Sequence, residues 1–274
     1  MSTGNLLELH AVTKRYGGLV AVNGLDMQVR ANTIHGLIGP NGAGKSTAFD
    51  LISGLQPVSS GKILLAGSDV TSASVQRRVT NGICRTFQTP KLFEKMTAME
   101  VVMTGRHIHG HTGFVRSMFS FAAKGRDEAR IADHALKLLS RVNLSGDRDT
   151  LVANLSYGKR RLVEIARALA TEPQLLLLDE VASGLNPVET GAVAELIKSL
   201  AADGLTIVVV EHDMPFVMGM CDEVTVLNFG SKIAHGLPSE VSKDELVIEA
   251  YLGRSHEQRT PFRDQRHARL QGVE

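Results

Sequence analysis

Short apolar runs alternate along this chain with stretches of helical periodicity. Residues 6–12 and 20–29 switch between apolar and polar positions as half-buried strands do, and a short, mostly apolar run at 33–38 follows them. Further short runs at 61–65 and 83–87 are bounded by Gly, Ser and Asn. From 97 to about 145 the texture becomes helical, with helices expected at 98–107 and 126–141 around a Gly- and Ser-containing stretch that carries several Phe. Strand texture returns at 175–179, 206–211 and 224–228, and helical spacing fills the gaps: Leu162, Ile165, Ala166 and Leu169 fall at i, i+3, i+4 and i+7. Apolar strands separated by helices predict an α/β fold with a mostly parallel sheet covered on both faces. The helical stretch 97–155 reads as a subdomain inserted into that sheet. After Tyr251-Leu252-Gly253 the composition turns to Arg, Gln, His and Glu without periodicity, so 254–274 reads as a poorly ordered polar tail.

One stretch organises the rest. Gly39-Pro40-Asn41-Gly42-Ala43-Gly44-Lys45-Ser46-Thr47 fits Gly-x-x-x-x-Gly-Lys-Ser/Thr, between an expected strand and an expected helix. Glycines let successive backbone N–H groups turn inward with no Cβ in the way, and the helix N-terminus behind them favours an anion. Lys45 supplies a point charge for β- and γ-phosphates, and the Ser46 hydroxyl is a ligand for Mg²⁺. The strand Leu175-Leu176-Leu177-Leu178 ends in Asp179-Glu180. A buried parallel strand delivers Asp179 to the sheet edge beside the phosphate loop, where a carboxylate holds the Mg²⁺ shell; Glu180 then faces the γ-phosphate and polarises a water.

Composition narrows the setting. A net charge of +1 gives no strongly basic face, so no nucleic-acid partner is expected. No apolar run is long enough to span a bilayer, residues 1–10 lack the features of a secretory signal, and Cys84 and Cys221 suit a reducing cytosol as small buried hydrophobes. Any membrane role has to come through a partner. His107, His109 and His111 share a face only in an extended segment and lack the further ligands of a metal set, so they read as a polar loop.

A phosphate loop alone fits kinases, GTPases and many ATPases. Leu155-Ser156-Tyr157-Gly158-Lys159, directly before an amphipathic helix, discriminates. Here the chain resembles the ATP-binding subunits of ABC transporters, whose signature is Leu-Ser-Gly-Gly-Gln. The family's other marks follow in order: Tyr16 where an aromatic stacks on adenine, Gln88 in Arg85-Thr86-Phe87-Gln88 where a glutamine senses Mg²⁺ and the γ-phosphate, Ser183-Gly184-Leu185-Asn186 as the D-loop, and His212 as the switch histidine. The resemblance spans about 5–253. It implies a P-loop NTPase core with an N-terminal antiparallel β subdomain and an inserted α-helical subdomain.

The chain departs from the family pattern at Tyr157, Lys159, Val181 and Asn186. Tyr at the third signature position, the Gly-Leu-Asn-Pro D-loop and the ending Ile248-Glu249-Ala250-Tyr251-Leu252-Gly253 look like the branched-chain amino acid uptake branch, most like its larger ATPase subunit. Residues 106–130 would be that subunit's extra helical-subdomain segment. The resemblance implies ATP and Mg²⁺ as cofactors, with Tyr16 and 39–47 holding ATP and Ser46, Gln88 and Asp179 organising Mg²⁺. Glu180, His212 and Gln88 would carry catalysis, and Ser156 and Gly158 would reach the ATP of a second subunit. The implied partners are a second ATPase subunit (identical or paralogous), two transmembrane permease subunits, and a periplasmic or extracellular binding protein acting through the permease. The implied location is the cytoplasmic face of the inner membrane. Urea, another amino acid or an envelope lipid remain rival cargoes. A soluble ABC-type ATPase is the rival class, disfavoured by the single phosphate loop and the lack of sustained heptads.

Overall fold

The computed structural model describes residues 4–87, 92–106 and 121–252, with side chains in the last segment described from 128 onward. Two sheets build it. In the first, β1 (Asn5–Tyr16) pairs antiparallel with both β2 (Leu19–Arg30) and β4 (Ser60–Leu65), and β5 (Ser68–Asp69) completes the order β2-β1-β4-β5. β1 runs beyond the residue 12 expected from alternation. The register shifts between Leu9 and Val12, with Ala11 at φ 46°, and this bulge reverses the phase so that Val12, Thr13 and Lys14 are all buried.

The second sheet has the order β10-β9-β3-β8-β7-β6. β3 (Ile34–Ile38), β6 (Ile83–Arg85), β7 (Leu175–Asp179), β8 (Thr206–Val210) and β9 (Glu223–Asn228) are parallel, and β10 (Ser231–Gly236) closes one edge antiparallel to β9. Side chains alternate between its faces with period two. Ile34, Leu176, Leu178, Ile207 and Val209 face a layer made by α3 (Ala98–Arg106), α4 (Phe121–Arg141), α5 (Tyr157–Leu169), α6 (Pro187–Ala202) and α7 (Met214–Met218). Leu37, Leu175, Leu177, Val208 and Val210 face α1 (Lys45–Ser53) and the inner side of the antiparallel sheet. β7 and β8 are therefore buried on both faces, which is why they read as unbroken apolar runs. Each fully buried Leu of β7 contributes roughly 2 kcal/mol, so Asp179 is carried to the sheet edge by a firmly held strand.

Helix boundaries follow local chemistry. α4 begins at Phe121 rather than 126, and α3 is described to Arg106. α6 starts with a capping box: the Asn186 side chain accepts from Glu189 N at 3.0 Å while Glu189 Oε2 accepts from Asn186 N at 3.0 Å, with Pro187 at the first position. Asn186 thus does the capping an Asp would do. α2 (Val75–Thr80), α8 (Pro238–Val241) and α9 (Glu245–Leu252) are short elements that periodicity did not announce.

Candidate nucleotide site

The loop between β3 and α1 is shaped by what lies behind it. Gly39 has φ 149°, and a Cβ there would stand 2.1 Å from Leu227 O; Gly44, at φ 102°, would place one 2.5 Å from Ala21 O. Gly230 N, in the β9–β10 turn, donates to Ala43 O at 2.9 Å and fixes the loop from the other side. Gly44 brings no capping side chain to α1, so the helix presents its first-turn N–H groups to a ligand, and Ser46 in that turn is exposed. Lys45 turns back over the loop and donates to Gly39 O at 2.7 Å and Pro40 O at 3.0 Å. Burial lowers its pKa, while the carboxylates of Glu180 and Asp179 pull the other way. Lys45, Asp179 and Glu180 thus lie near enough to act on one another electrostatically.

Glu180 adopts φ 45°, a left-handed conformation rare for a residue with a Cβ, and its N–H donates to Val210 O at 2.9 Å. Directly after β8, Glu211 is buried and accepts from Ala182 N at 2.8 Å; its other oxygen lies 3.9 Å from His212 Nδ1. Burial pushes the Glu211 carboxyl up, the His212 charge opposes that, and Glu180 adds to it. The Glu180 turn and His212 are thus tied together through Glu211, a residue whose type at a strand end gave no separate sequence signal.

Asp179 has a partner the sequence did not announce. Arg85 donates to Asp179 Oδ2 at 2.8 Å and to Asp50 Oδ1 at 2.6 Å, with its guanidinium carbon 5.5 Å from the ring centroids of both Phe49 and Phe87. The hydroxyl of Ser46 and the carboxylate of Asp179 are oxygen donors of the kind a small hard cation takes, so the donor set fits Mg²⁺. Gln88 lies outside the described residues, as do His107, His109, His111, most of the 106–130 segment's proposed extra length, and the tail 254–274.

Tyr16 ends β1 with an exposed ring, and Lys14 Nζ sits 4.8 Å from its centroid. Ser156 and Gly158 lie at the start of α5. Ser156 is the N-cap, accepting from Lys159 N at 3.3 Å, and Gly158 lies against Glu189 of α6, where a Cβ would meet Oε1 at 2.5 Å. Lys159, the unusual last signature residue, reaches Asp147 at 2.8 Å.

A glycine-shaped loop at a helix N-terminus, a strand-end carboxylate pair and a capped turn on a separate helix are arranged as the resemblance to ABC-type ATPases leads one to expect. The family model for ABC transporters matches residues 22–183, and the chain belongs to that family as an ATP-binding, ATP-hydrolysing subunit. A second model, the branched-chain amino acid ATP-binding cassette transporter, matches 231–257. Among curated proteins, the chain is 38% identical over 249 residues to the high-affinity branched-chain amino acid transport ATP-binding protein BraF of Pseudomonas aeruginosa, covering 90% of this chain and 98% of that one. It is 39% identical over 249 residues to LivG, which carries the same description, of Salmonella typhimurium, with the same coverage. Among solved structures, the ADP conformation of MJ1267, an ATP-binding cassette of an ABC transporter, aligns with a TM-score of 0.80 at 29% identity, covering 92% of this chain and all of that one.

Proposed function

We propose that this chain hydrolyses ATP to drive uptake of branched-chain or related amino acids through a membrane permease. The observation that carries the reading is the convergence of Lys45, Asp179 and Glu180 behind an anion-binding loop in a chain whose final elements match the branched-chain model. Tyr16 stacks on adenine, residues Gly39 to Thr47 grip the phosphates, and Lys45 leaves its carbonyl partners to meet them. Ser46, Asp179 and Gln88 would hold Mg²⁺, which when bound offsets phosphate charge. Glu180 takes the proton from the attacking water, and His212 contacts the γ-phosphate side of the site. Ser156 and the Gly158 N–H complete the site of a second ATPase subunit, so two subunits close over two ATP molecules and reopen after hydrolysis.

Among the described residues no helix is long and apolar enough to cross a membrane; the likeness to ATP-binding proteins of amino acid transport supports peripheral attachment to the cytoplasmic membrane face through the permease. A groove of about 270 Å³ lined by Leu55, Val79, Cys84, Phe87, Gly105 and Ala168 is its proposed seat, where the sheet edge meets the helical layer. Purification of the tagged chain from native membranes in mild detergent tests this. Two very apolar subunits and a second ATPase in the eluate, with ATPase stimulation by an amino-acid-loaded binding protein, are expected. Stimulation only by urea or an envelope lipid redirects the cargo. Recovery with ribosomes or nucleic acid in the soluble fraction sinks the transport reading.

A further inference from the structure

α5 carries a charged pair in its interior that the nucleotide site does not use. Arg161 and Glu164 have side chains 0% and 1% exposed and meet at 3.0 Å. Arg161 Nη1 also donates to Phe87 O at 2.6 Å, and Phe87 N donates to Glu164 Oε1 at 3.1 Å, so the pair grips both backbone groups of Phe87. Through Nη2, Arg161 donates to the Tyr157 hydroxyl at 3.0 Å and to Glu180 O at 3.5 Å. Tyr157 in turn packs against the D-loop, where a Cβ on Gly184 would meet its ring at 3.1 Å.

Stability does not account for this arrangement. Burying two charges costs several kcal/mol each, and apolar residues of similar volume usually serve a core as well or better. Burial in fact pushes the Glu164 carboxyl upward, against its attraction to Arg161. What the pair supplies is directed contact: three hydrogen bonds from the helix to the residue before Gln88 and to the Glu180 turn, and a fourth within the helix to Tyr157 of the signature. A planar guanidinium with several fixed donors suits that task, and a lysine cannot make the same set at once.

We propose that Arg161 and Glu164 are positioning residues that relay closure of the signature turn to Phe87 and Glu180 of the same subunit. The relay rests on the reading that Ser156 and Gly158 contact ATP held by the second subunit. A small shift of α5 as the turn closes moves both Phe87 backbone groups together, because they are held from opposite ends of one ion pair. Each subunit thus adjusts its own hydrolytic site to the partner's ATP, and the two sites hydrolyse cooperatively.

The test uses the full-length chain. In a Glu180→Gln background, ATP is expected to drive dimerisation in sedimentation and to slow amide exchange over residues 83–87 by about tenfold, the usual size of a coupling between sites. Adding Arg161→Lys or Glu164→Gln leaves ATP binding and dimerisation in place but abolishes the slowing. With Glu180 intact, the same substitutions lower the Hill coefficient of hydrolysis from about 2 to about 1. A dimerising variant that keeps the slowing and the Hill coefficient overturns the relay. Tyr157→Phe keeps the ring and both buried charges and removes only the hydroxyl that accepts from Arg161, so it decides the matter if the buried substitutions unfold the chain: the slowing falls at least about twofold, and a full response overturns the relay. Ser156→Arg separates this from the parent reading. If it binds ATP yet still dimerises, the signature does not read the partner's ATP and both ideas fall; if it blocks dimerisation while the Arg161 variants respond fully, the relay alone falls.

Discussion

Arg85 holds Asp179 at 2.8 Å, and both side chains are only 8% exposed. The proposed Mg²⁺ carboxylate is therefore already charge-paired and oriented by a residue that also grips Asp50 at 2.6 Å.

Removing the Arg85 guanidinium leaves Asp179 buried without its ion-pair partner, with only the longer-range charge of Lys45 to offset it. Arg85→Met is expected to destabilise the chain by roughly 3 kcal/mol in urea unfolding. Arg85→Met combined with Asp179→Asn should be more stable than the two separate losses add up to, by about 1 kcal/mol or more. Strict additivity would show that the two side chains are not energetically coupled.

Glu180→Gln should bind ATP normally and hydrolyse it about 10²–10⁴-fold more slowly, the range of a general base. Near-wild-type turnover from a homogeneous preparation removes the assignment. The backbone makes a separate forecast. At φ 45°, a Cβ at this position is strained, so Glu180→Gly should melt higher than Glu180→Ala, by the equivalent of about 1 kcal/mol. Equal melting temperatures would mean that the turn relaxes freely.

Gly39→Ala forces a Cβ to within 2.1 Å of Leu227 O in a conformation alanine rarely adopts. The chain should lose about 2 kcal/mol or more and bind ATP poorly, because the loop must lift off β9. Calorimetric titration showing normal affinity in a fully stable variant would refute the close packing.

His35 predicts a pH dependence of stability. Its ring is buried against Thr225, at 2.9 Å, and stacked on His235 at 5.8 Å. Burial chiefly, then the charges of His235 and Arg30, lower its pKa from 6.5 to about 3. Between those values the unfolded chain binds a proton that the folded chain refuses. Stability is complete above pH 6.5 and falls as pH drops through this window, by up to about 1.4 kcal/mol per pH unit from this group. His35→Gln should flatten the slope between pH 6.5 and 4.5 by about one proton in urea midpoints; an unchanged slope assigns the dependence to other groups.

The sequence was most legible where chemistry is local. The phosphate loop, the Leu175–Asp179 strand and the signature at 155–159 each announce themselves within a few residues, because each is set by nearest neighbours. Long-range partnerships were silent. Arg85 and Asp179 are distant in sequence, and nothing in the spacing of the helix singles out Arg161. Leu162, expected on the buried face, is only half-buried, whereas Arg161 and Glu164 lie inside. α5 is enclosed by α3, α4 and the sheet, so periodicity could not tell which face would meet water. β10 was also missed, since its half-exposed Ser231-Lys232-Ile233-Ala234 pattern lacks the apolar density of a central strand.

The pairing of β3 carries a consequence for biosynthesis. Its neighbours are β8 and β9, with Ile34 opposite Ile207 and Gly36 opposite Val224. At ribosomal speeds of about 5–20 residues per second, some ten to thirty seconds pass between the emergence of β3 and that of its partners. Throughout that interval the antiparallel sheet and α1 can form, while β3 offers two bare edges to any passing strand. Nascent chains stalled before residue 207 should therefore be heavily chaperone-bound and protease-sensitive around β3, and a stall a few dozen residues beyond β9 should release them.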